Sequence, residues 1–348
     1  MNGVFQIENI NSGRHHYVLT EDLHPLMYRW AKRNHLKVPD AEWFAKLHQQ
    51  LRLRLEATLN SNGRAIQLDS HPYFYMVQEI HPLIYAYVGK KIWFEQVLSA
   101  DPVYTPGINY HIYSLEITRA VDIFGKPIHG RVERPGHPSL EEQIEDFGRK
   151  MEGHFNFNRN VIFVDDGVWT GETLKKAAAL LKNNGFKIIA VIVAIGANKK
   201  ERMIDIGIDN ADVHIIQMYD RNRPVEDWVC ERDFYLGAPY GGRTVIDDSL
   251  QREACSVKGV SIGAFYPETD KWLKNWASVD ERSGQFRTFC YQQSMTLFRE
   301  IEKLSGKAVG LTLLDRLPLS VAKSLAEGRI SPSASIVTAL EMSLKEGV

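Results

Sequence analysis

The segment from Val161 to Leu174 constrains the fold more than any other part of the sequence, because three structural signals follow one another within it. Four apolar residues, 161–164, lead into Asp165 and Asp166, a short loop then reaches Thr-Gly-Glu-Thr at 170–173, and a run rich in Ala, Leu and Lys follows. An apolar run of this length predicts a buried strand, and Thr-Gly before a helical pattern predicts a helix start. The segment is therefore expected to fold as a strand, a tight turn and a helix.

The chemistry of this segment suits a sugar phosphate. Amides at the start of the predicted helix, together with the hydroxyls of Thr170 and Thr173, can bind an anion, and Gly171 lets the backbone approach it closely. Asp165 and Asp166 fall at the carboxyl end of the predicted strand, where open α/β sheets bind their ligands. Two carboxylates there can accept hydrogen bonds from ribose hydroxyls or hold Mg²⁺ through its waters.

The order of these residues resembles the signature for 5-phosphoribosyl 1-pyrophosphate (PRPP) in type I phosphoribosyltransferases. That signature consists of four apolar residues, two acids, two or three variable residues and Thr-Gly-x-Thr. The resemblance implies that Asp165 and Asp166 contact the ribose and hold Mg²⁺. It also implies that the 5′-phosphate lies against a four-residue loop: Thr170, Gly171, Glu172 and Thr173. The alternative interpretation is an ordinary strand–turn–helix whose two acids are solvated.

Two positions depart from the signature. Gly167 replaces the usual aliphatic residue, and Trp169 replaces a small or acidic residue. In purine-using members of the family that acid is an aspartate that transfers a proton. The resemblance therefore implies the fold more strongly than the reaction, and Trp169 becomes a candidate for contacting the base.

Residues 161–218 alternate between strand and helix patterns. A helix is predicted at 174–182, a continuous apolar strand at 186–195, a helix at 199–207 and a strand at 213–218. Sequential strands joined by helices indicate a parallel sheet. A dinucleotide-binding fold would share this pattern, but the Gly-x-Gly-x-x-Gly turn is missing. The predicted fold class is α/β, with a parallel-sheet phosphoribosyltransferase-like core at 96–247, a mostly helical region at 1–95 and a helical region at 248–348.

The N-terminal region contains two predicted helices, one from Pro25 to Asn34 and one that begins after Asp40, followed by a strand near 64–69. The run from Leu83 to Val88 is predicted to be another strand.

The loop that binds pyrophosphate has two candidate positions in this region. Lys90 and Lys91 follow Gly89 and the predicted strand, where the family resemblance places that loop, although a plain turn with surface lysines is favoured there. The rival position is Ser70 and His71, and the sequence does not separate the two.

A basic segment rich in glycine and proline precedes the signature. Residues 110–120 are predicted to form a strand, and 124–138 a loop or irregular hairpin that carries Lys126, Arg131 and Arg134. The resemblance implies a mobile loop that closes over pyrophosphate, for which cations are suited because negative charge develops on the leaving group. A solvated basic hairpin is the alternative.

The segment 221–243 resembles the part of purine-using family members that surrounds the base. Three aromatic residues are candidates for stacking on a base: Trp228, Phe234 and Tyr235. Asp227 or Asp233 could accept hydrogen bonds from the base, and Arg243, after two glycines, could meet a phosphate. The alternative is an aromatic core edge with a salt-bridged surface.

The bulk properties exclude several classes of protein. The 348 residues carry 42 basic and 43 acidic side chains, so the net charge of −1 gives no basic field for nucleic acid. No apolar run approaches the ~18 residues of a membrane span, and no signal peptide is evident. The three cysteines show no metal-ligand spacing, and a reduced, cytoplasmic setting is expected. A helix-turn-helix near the C-terminus stays open, but Lys323 and Arg329 are its only basic residues, and packing or dimerisation is favoured.

Three functions remain open from the sequence. The first is an enzyme that binds Mg²⁺–PRPP or a related ribose 5-phosphate nucleotide and transfers the phosphoribosyl group to a nitrogenous base, with Asp165, Asp166 and Arg131 as catalytic candidates. The second is a regulator that does not transfer the phosphoribosyl group, or an anti-phage effector of the retron type. Relatives with long extensions occur beside bacterial anti-phage systems, including retrons. The third is a hydrolase acting on a ribose phosphate. A homodimer is implied by the resemblance alone.

Overall fold

The computed structural model describes residues 15–60, 66–100, 112–134, 137–153, 158–197, 211–219, 225–247, 249–250, 260–268 and 284–345, with 208 and 257. Its strands are, in chain order, β1 (His15–Glu21), β2 (Ile66–Pro72), β3 (Val97–Ser99), β4 (Tyr113–Ser114), β5 (Ile117–Val121), β6 (Pro127–Glu133), β7 (Asn160–Val168), β8 (Lys187–Ala197), β9 (Asp212–Tyr219), β10 (Val225–Cys230), β11 (Arg243–Val245), β12 (Ser261–Ala264) and β13 (Arg316–Pro318). Its helices are α1 (Leu23–Arg33), α2 (Ala41–Asn60), α3 (Tyr73–Tyr85), α4 (Leu140–Glu152), α5 (Glu172–Asn183), α6 (Gly284–Ser305), α7 (Leu319–Ala326) and α8 (Ile336–Lys345).

A parallel sheet in the order β4-β3-β7-β8-β9 forms the centre of the α/β core. Alternate residues of β7 enter different hydrophobic layers: Val161 and Phe163 pack with α4 and α5, whereas Ile162 and Val164 pack with α3. Because both faces are covered, both must be apolar, which explains the continuous apolar runs in β7 and β8. The predicted mixed α/β fold with a parallel core is confirmed.

Two further sheets surround this core. One is mixed, with the order β13-β12-β11-β5-β6, and the other is a three-stranded parallel sheet in the order β10-β1-β2. Strands from the first 95 residues and from the last 100 thus pair with strands of the middle of the chain. The division at residues 95 and 247 stays a prediction.

The structure corrects the strand predicted at Leu83–Val88: residues 83–85 are the end of α3, and 86–88 follow it. Ile80, Ile84 and Tyr87 recur at helical spacing and pack together against the central sheet. Gly89 to Lys91 therefore follow a helix rather than a strand. The strand predicted at 110–120 is also divided, since β4 joins the central sheet and β5 the mixed sheet.

Residues 127–133 of the predicted basic segment form β6, which is antiparallel to β5, so this part of the segment is one strand of a hairpin, one of the two forms predicted for it. The strand β10 within 221–243 was not predicted. The helix predicted at 199–207 lies outside the described residues. Within the described part of the chain, no helix combines the length and apolar character that crossing a bilayer requires.

Candidate functional site

A cavity of about 590 Å³ lies at the carboxyl end of β7, between the central and mixed sheets. This volume is typical of a small-molecule site. The cavity is lined by most of the residues that the sequence indicated: Arg131, Arg134, Asp165, Asp166, Trp169, Thr170, Gly171, Glu172, Thr173 and Trp228. Residues far apart in the sequence therefore meet where open α/β sheets bind ligands.

The start of α5 forms one wall of this cavity. Gly171 is its N-cap, with φ 75° and ψ 6°, a left-handed conformation that glycine adopts without steric cost. As a glycine, Gly171 has no side chain with which to cap the first amides of α5. A helix start without a side-chain cap leaves N–H groups from which an anion can accept hydrogen bonds, and the helix dipole favours negative charge there.

Arg131 of β6 is fixed beside this helix start. Its Nε donates to Thr173 Oγ1 at 3.0 Å, its Nη1 lies 2.8 Å from Glu172 Oε2, and only 6% of its side chain is exposed. Burial and the neighbouring Arg119 lower the pKa of Arg131, whereas Glu172 and Asp165 oppose the shift. An arginine remains charged in proteins even so. The arrangement places a fixed cation beside the start of α5.

The two acids at the end of β7 differ in exposure. Asp165 is buried, and its Oδ1 accepts a hydrogen bond of 2.9 Å from the amide of Asp166, which is half-buried. The thiol of Cys230 donates to Asp166 Oδ2 at 3.6 Å. Burial raises the pKa of this thiol, and Asp166 raises it further, so the sulfur remains protonated.

The donor set at these acids fits a hydrated magnesium ion. Among the described residues, no group of three or more His, Cys, Asp or Glu side chains could hold a metal. Mg²⁺ usually keeps several waters and is held by one or two carboxylates together with substrate phosphates. Asp165 and Asp166 therefore suit an ion that is bound in part by the ligand.

Trp228 explains the departure at Gly167. A Cβ at position 167 would lie 1.7 Å from Cη2 of Trp228 and 2.7 Å from the carbonyl oxygen of Ile195. The indole Nε1 donates to Thr20 Oγ1 at 3.0 Å, which holds the ring against β7. Glycine is required because the indole occupies the space of a side chain, and Trp228 forms the cavity wall there.

Several predicted site residues do not lie at the cavity. Phe234 and Tyr235 are each 1% exposed and belong to the hydrophobic core, so their predicted stacking on a base is wrong. The Phe234 ring packs 4.7 Å from that of Tyr266. These rings lie in the core because helix α6 and the mixed sheet cover them.

The lysines are also placed elsewhere. Lys90 and Lys91 lie in the turn after α3, with Lys91 Nζ 5.4 Å from the Tyr87 ring, and neither lines the cavity. Lys126 is in the exposed turn between β5 and β6, also away from the cavity. Arg134 does line it, but its Nε lies 3.4 Å from Glu116 Oε2, so that part of its charge is already balanced.

Sequence reasoning missed Arg119 and Arg232, which also line the cavity. Arg232 Nη1 donates to Asp22 Oδ2 at 2.5 Å, in a pair buried at the end of β1 and β10. Arg119 lies opposite Arg131 across the β5–β6 hairpin. The turn at 122–126 could have suggested this pairing, but a bulge between Arg119 and Ala120 shifts the register.

Comparisons with known proteins agree with this geometry. Residues 153–222 match the family model described as the phosphoribosyl transferase domain, a segment that contains β7, α5, β8 and β9. The match is consistent with the type I phosphoribosyltransferase-like superfamily, as the sequence predicted, and it fits a core of that type. No curated protein and no solved structure matches the chain.

Proposed function

We propose that the protein binds Mg²⁺–PRPP, or a related ribose 5-phosphate nucleotide, and transfers the phosphoribosyl group to a nitrogenous base with release of pyrophosphate. The observation that carries this proposal is the common cavity of Asp165, Asp166 and the start of α5. The family match over 153–222 supports phosphoribosyl transfer in general. The acceptor base is not defined by either observation.

Each wall of the cavity has a role in this proposal. The amides and hydroxyls at 170–173 bind the 5′-phosphate, with Arg131 supplying positive charge. Asp165 and Asp166 accept hydrogen bonds from the ribose hydroxyls and hold Mg²⁺ through water. The ion, when bound, neutralises charge on the pyrophosphate.

The chain itself contributes positioning and charge stabilisation. Transfer breaks the bond between ribose C1 and pyrophosphate oxygen and forms one from C1 to the base nitrogen. Fixed groups that hold both reactants lower the barrier by removing the entropic cost of bringing them together. The cations of the cavity stabilise the charge that develops on the leaving group.

A second candidate is a protein that binds PRPP or a nucleotide without transfer and acts as a regulator or defence effector. Trp169 favours it, because this half-buried indole lies on the cavity wall at the position of the proton-transferring acid in some phosphoribosyltransferases. Hydrolysis of a ribose phosphate is a third possibility that the two acids would also suit.

One assay separates the three candidates. The protein is incubated with PRPP, Mg²⁺ and each common base, while pyrophosphate and ribose phosphates are followed. Release that requires a base supports transfer, tight PRPP binding without turnover supports the second candidate, and ribose phosphate formed without a base supports hydrolysis.

A variant tests the role of the acids. Asp165→Asn with Asp166→Asn is expected to weaken PRPP binding at least about tenfold in calorimetry, because both anionic acceptors are lost. The matched control, Glu42→Gln with Glu152→Gln, removes two exposed carboxylates, 78% and 61% accessible, and should leave binding unchanged. Equal affinity of the acid variant and wild type would contradict the proposal.

A further inference from the structure

A second cavity, of about 530 Å³, lies between one face of α4 and the segment that joins β4 to β5. Four carboxylates line it: Glu116, Glu142, Glu145 and Asp146. Arg149 is the only arginine or lysine among the described residues that line it, and burial lowers the pKa of His137, which keeps that ring neutral at neutral pH. The charge of the second cavity therefore favours a cationic ligand.

The carboxylates of the second cavity are spread along it rather than gathered at one point. Within the described part of the chain, no group of three or more His, Cys, Asp or Glu side chains could hold a metal ion. Side chains three positions apart on a helix are about 5–6 Å apart at Cβ, so Glu142 and Glu145 can meet different charges of one ligand. The Tyr113 ring adds apolar surface, and Lys150 Nζ already lies 4.9 Å from its centre. A chain of ammonium groups joined by methylenes matches this lining better than a single ion.

Two of the four carboxylates already have strong partners. Glu142 Oε2 accepts hydrogen bonds from the amide and the hydroxyl of Ser139, at 2.9 and 2.7 Å. Asp146 Oδ2 lies 2.7 Å from Lys150 Nζ. Glu145 is exposed, and it forms no ion pair with another residue that the structure describes. Glu145 can therefore pair with a ligand without losing an existing salt bridge.

The ion pair of Glu116 and Arg134 separates the second cavity from the first cavity, the one at the carboxyl end of β7. Glu116 lines the second cavity and Arg134 the first, with Glu116 Oε2 3.4 Å from Arg134 Nε. Each side chain is only 9% exposed, yet among the described residues neither of these two atoms has a hydrogen-bond partner. A buried charged atom without a hydrogen bond is costly, so a donor that reaches Glu116 from the second cavity would be stabilising.

We propose that the second cavity binds a small linear polyamine, which pairs with Glu145 and Glu116 and thereby strengthens anion binding in the first cavity. An ammonium group beside Glu116 balances the charge of that carboxylate in place of Arg134. The guanidinium of Arg134 then becomes available to an anion in the first cavity. The effect is reciprocal, because a coupling free energy between two sites acts equally in both directions. The coupling, though not the polyamine site, rests on the proposed function, which supplies PRPP as the anion.

Calorimetric titration of the full chain with spermidine tests the polyamine site. Wild type is expected to bind spermidine, and Glu145→Gln to bind it about tenfold or more weakly, because a charge-assisted hydrogen bond is lost. The matched control, Glu152→Gln, also removes an exposed carboxylate from α4, 61% accessible, but Glu152 does not line the second cavity and its loss should not change the affinity.

Two results would overturn the polyamine site. One is equal affinity of wild type and Glu145→Gln for spermidine. The other is displacement of spermidine by Mg²⁺ at equal concentration, which would indicate a general attraction of cations to an acidic surface.

The affinity for Mg²⁺–PRPP tests the coupling. Spermidine is expected to tighten PRPP binding by wild type at least about fivefold, and by Glu145→Gln much less. Spermidine also associates with PRPP in solution, but equally in both experiments, so the difference between the two proteins isolates the site. Glu116→Gln removes the carboxylate that holds Arg134, and it should bind PRPP more tightly than wild type without any spermidine. Circular dichroism checks that this variant folds.

The coupling is wrong if spermidine changes the PRPP affinity of wild type and Glu145→Gln equally. It is also wrong if Glu116→Gln folds but binds PRPP no more tightly than wild type. Failure of PRPP to bind any of these proteins, while spermidine binding still depends on Glu145, would contradict the proposed function and leave the polyamine site standing. The two ideas can therefore fail separately.

Discussion

The close contact between Gly167 and Trp228 allows a quantitative test of how the cavity wall is built. In Gly167→Ala the new Cβ would lie 1.7 Å from Cη2 of the indole, whereas an ordinary contact is at least 3.4 Å, so the ring must move by about 1.7 Å. A shift of this size breaks the 3.0 Å hydrogen bond from Trp228 Nε1 to Thr20 Oγ1. The carbonyl oxygen of Ile195, 2.7 Å from the same Cβ, belongs to the neighbouring strand and restricts movement of β7 itself.

These two effects set the expected magnitude. Overpacking costs about 1–3 kcal/mol, and a lost hydrogen bond costs about 0.5–1.5 kcal/mol. Gly167→Ala should therefore lower the free energy of unfolding by about 2–4 kcal/mol, measured by urea denaturation. The control is Gly153→Ala, whose Cβ would meet its nearest atom at 3.6 Å. It should be neutral or slightly stabilising.

A double-mutant cycle identifies the partner. In the Trp228→Ala background most of the clash is absent, so Gly167→Ala should cost at least about 1 kcal/mol less than in wild type. The remaining cost reflects the backbone oxygen of Ile195. If Gly167→Ala changes the free energy of unfolding by less than about 0.5 kcal/mol, the explanation of this glycine is wrong.

Two further predictions concern ion pairs, one of Asp22 and one of His48. Asp22→Ala should lower the free energy of unfolding by about 3–5 kcal/mol in urea, because it leaves the guanidinium of Arg232 buried without its carboxylate; a loss below about 1 kcal/mol would contradict this. Burial alone would lower the pKa of His48, but Glu21 and Glu231 raise it to about 10, above the unfolded value of about 6.5. The stability that this imidazolium contributes is thus complete below pH ~6.5 and is lost as the pH rises towards 10. The difference in free energy of unfolding between wild type and His48→Gln should therefore shrink over that range. A difference that does not depend on pH would refute the assignment.

The part of the site that the sequence predicted is local. The strand β7, the turn and α5 follow from a single run of residues whose apolar, acidic and threonine positions each have a direct physical meaning. Position 167 was recognised as unusual, but its cause is an indole 61 positions later in the chain. No local pattern contains that information.

The parts that sequence reasoning missed depend on tertiary pairing. The α3 segment combines apolar and aromatic residues that suit either a strand or a helix, and packing against the central sheet decides for the helix. Phe234 and Tyr235 looked like residues of a binding site, but packing with Phe286 of α6 places them in the core. The pairing of Arg119 with Arg131 depends on a β-bulge that composition does not reveal.

The buried guanidinium of Arg316 in β13 has a consequence for protein synthesis. Its Nη1 donates to the carbonyl oxygens of Gly241 and Gly242, in the turn that leads into β11. From Asn183, where α5 ends, to Arg316 the ribosome must add 133 residues, which takes on the order of 10 s. During that interval a nascent chain can have the start of α5, but the turn before Arg243, which also lines the cavity, still lacks its support. Ligand binding should therefore distinguish finished chains from those that stall before Arg316.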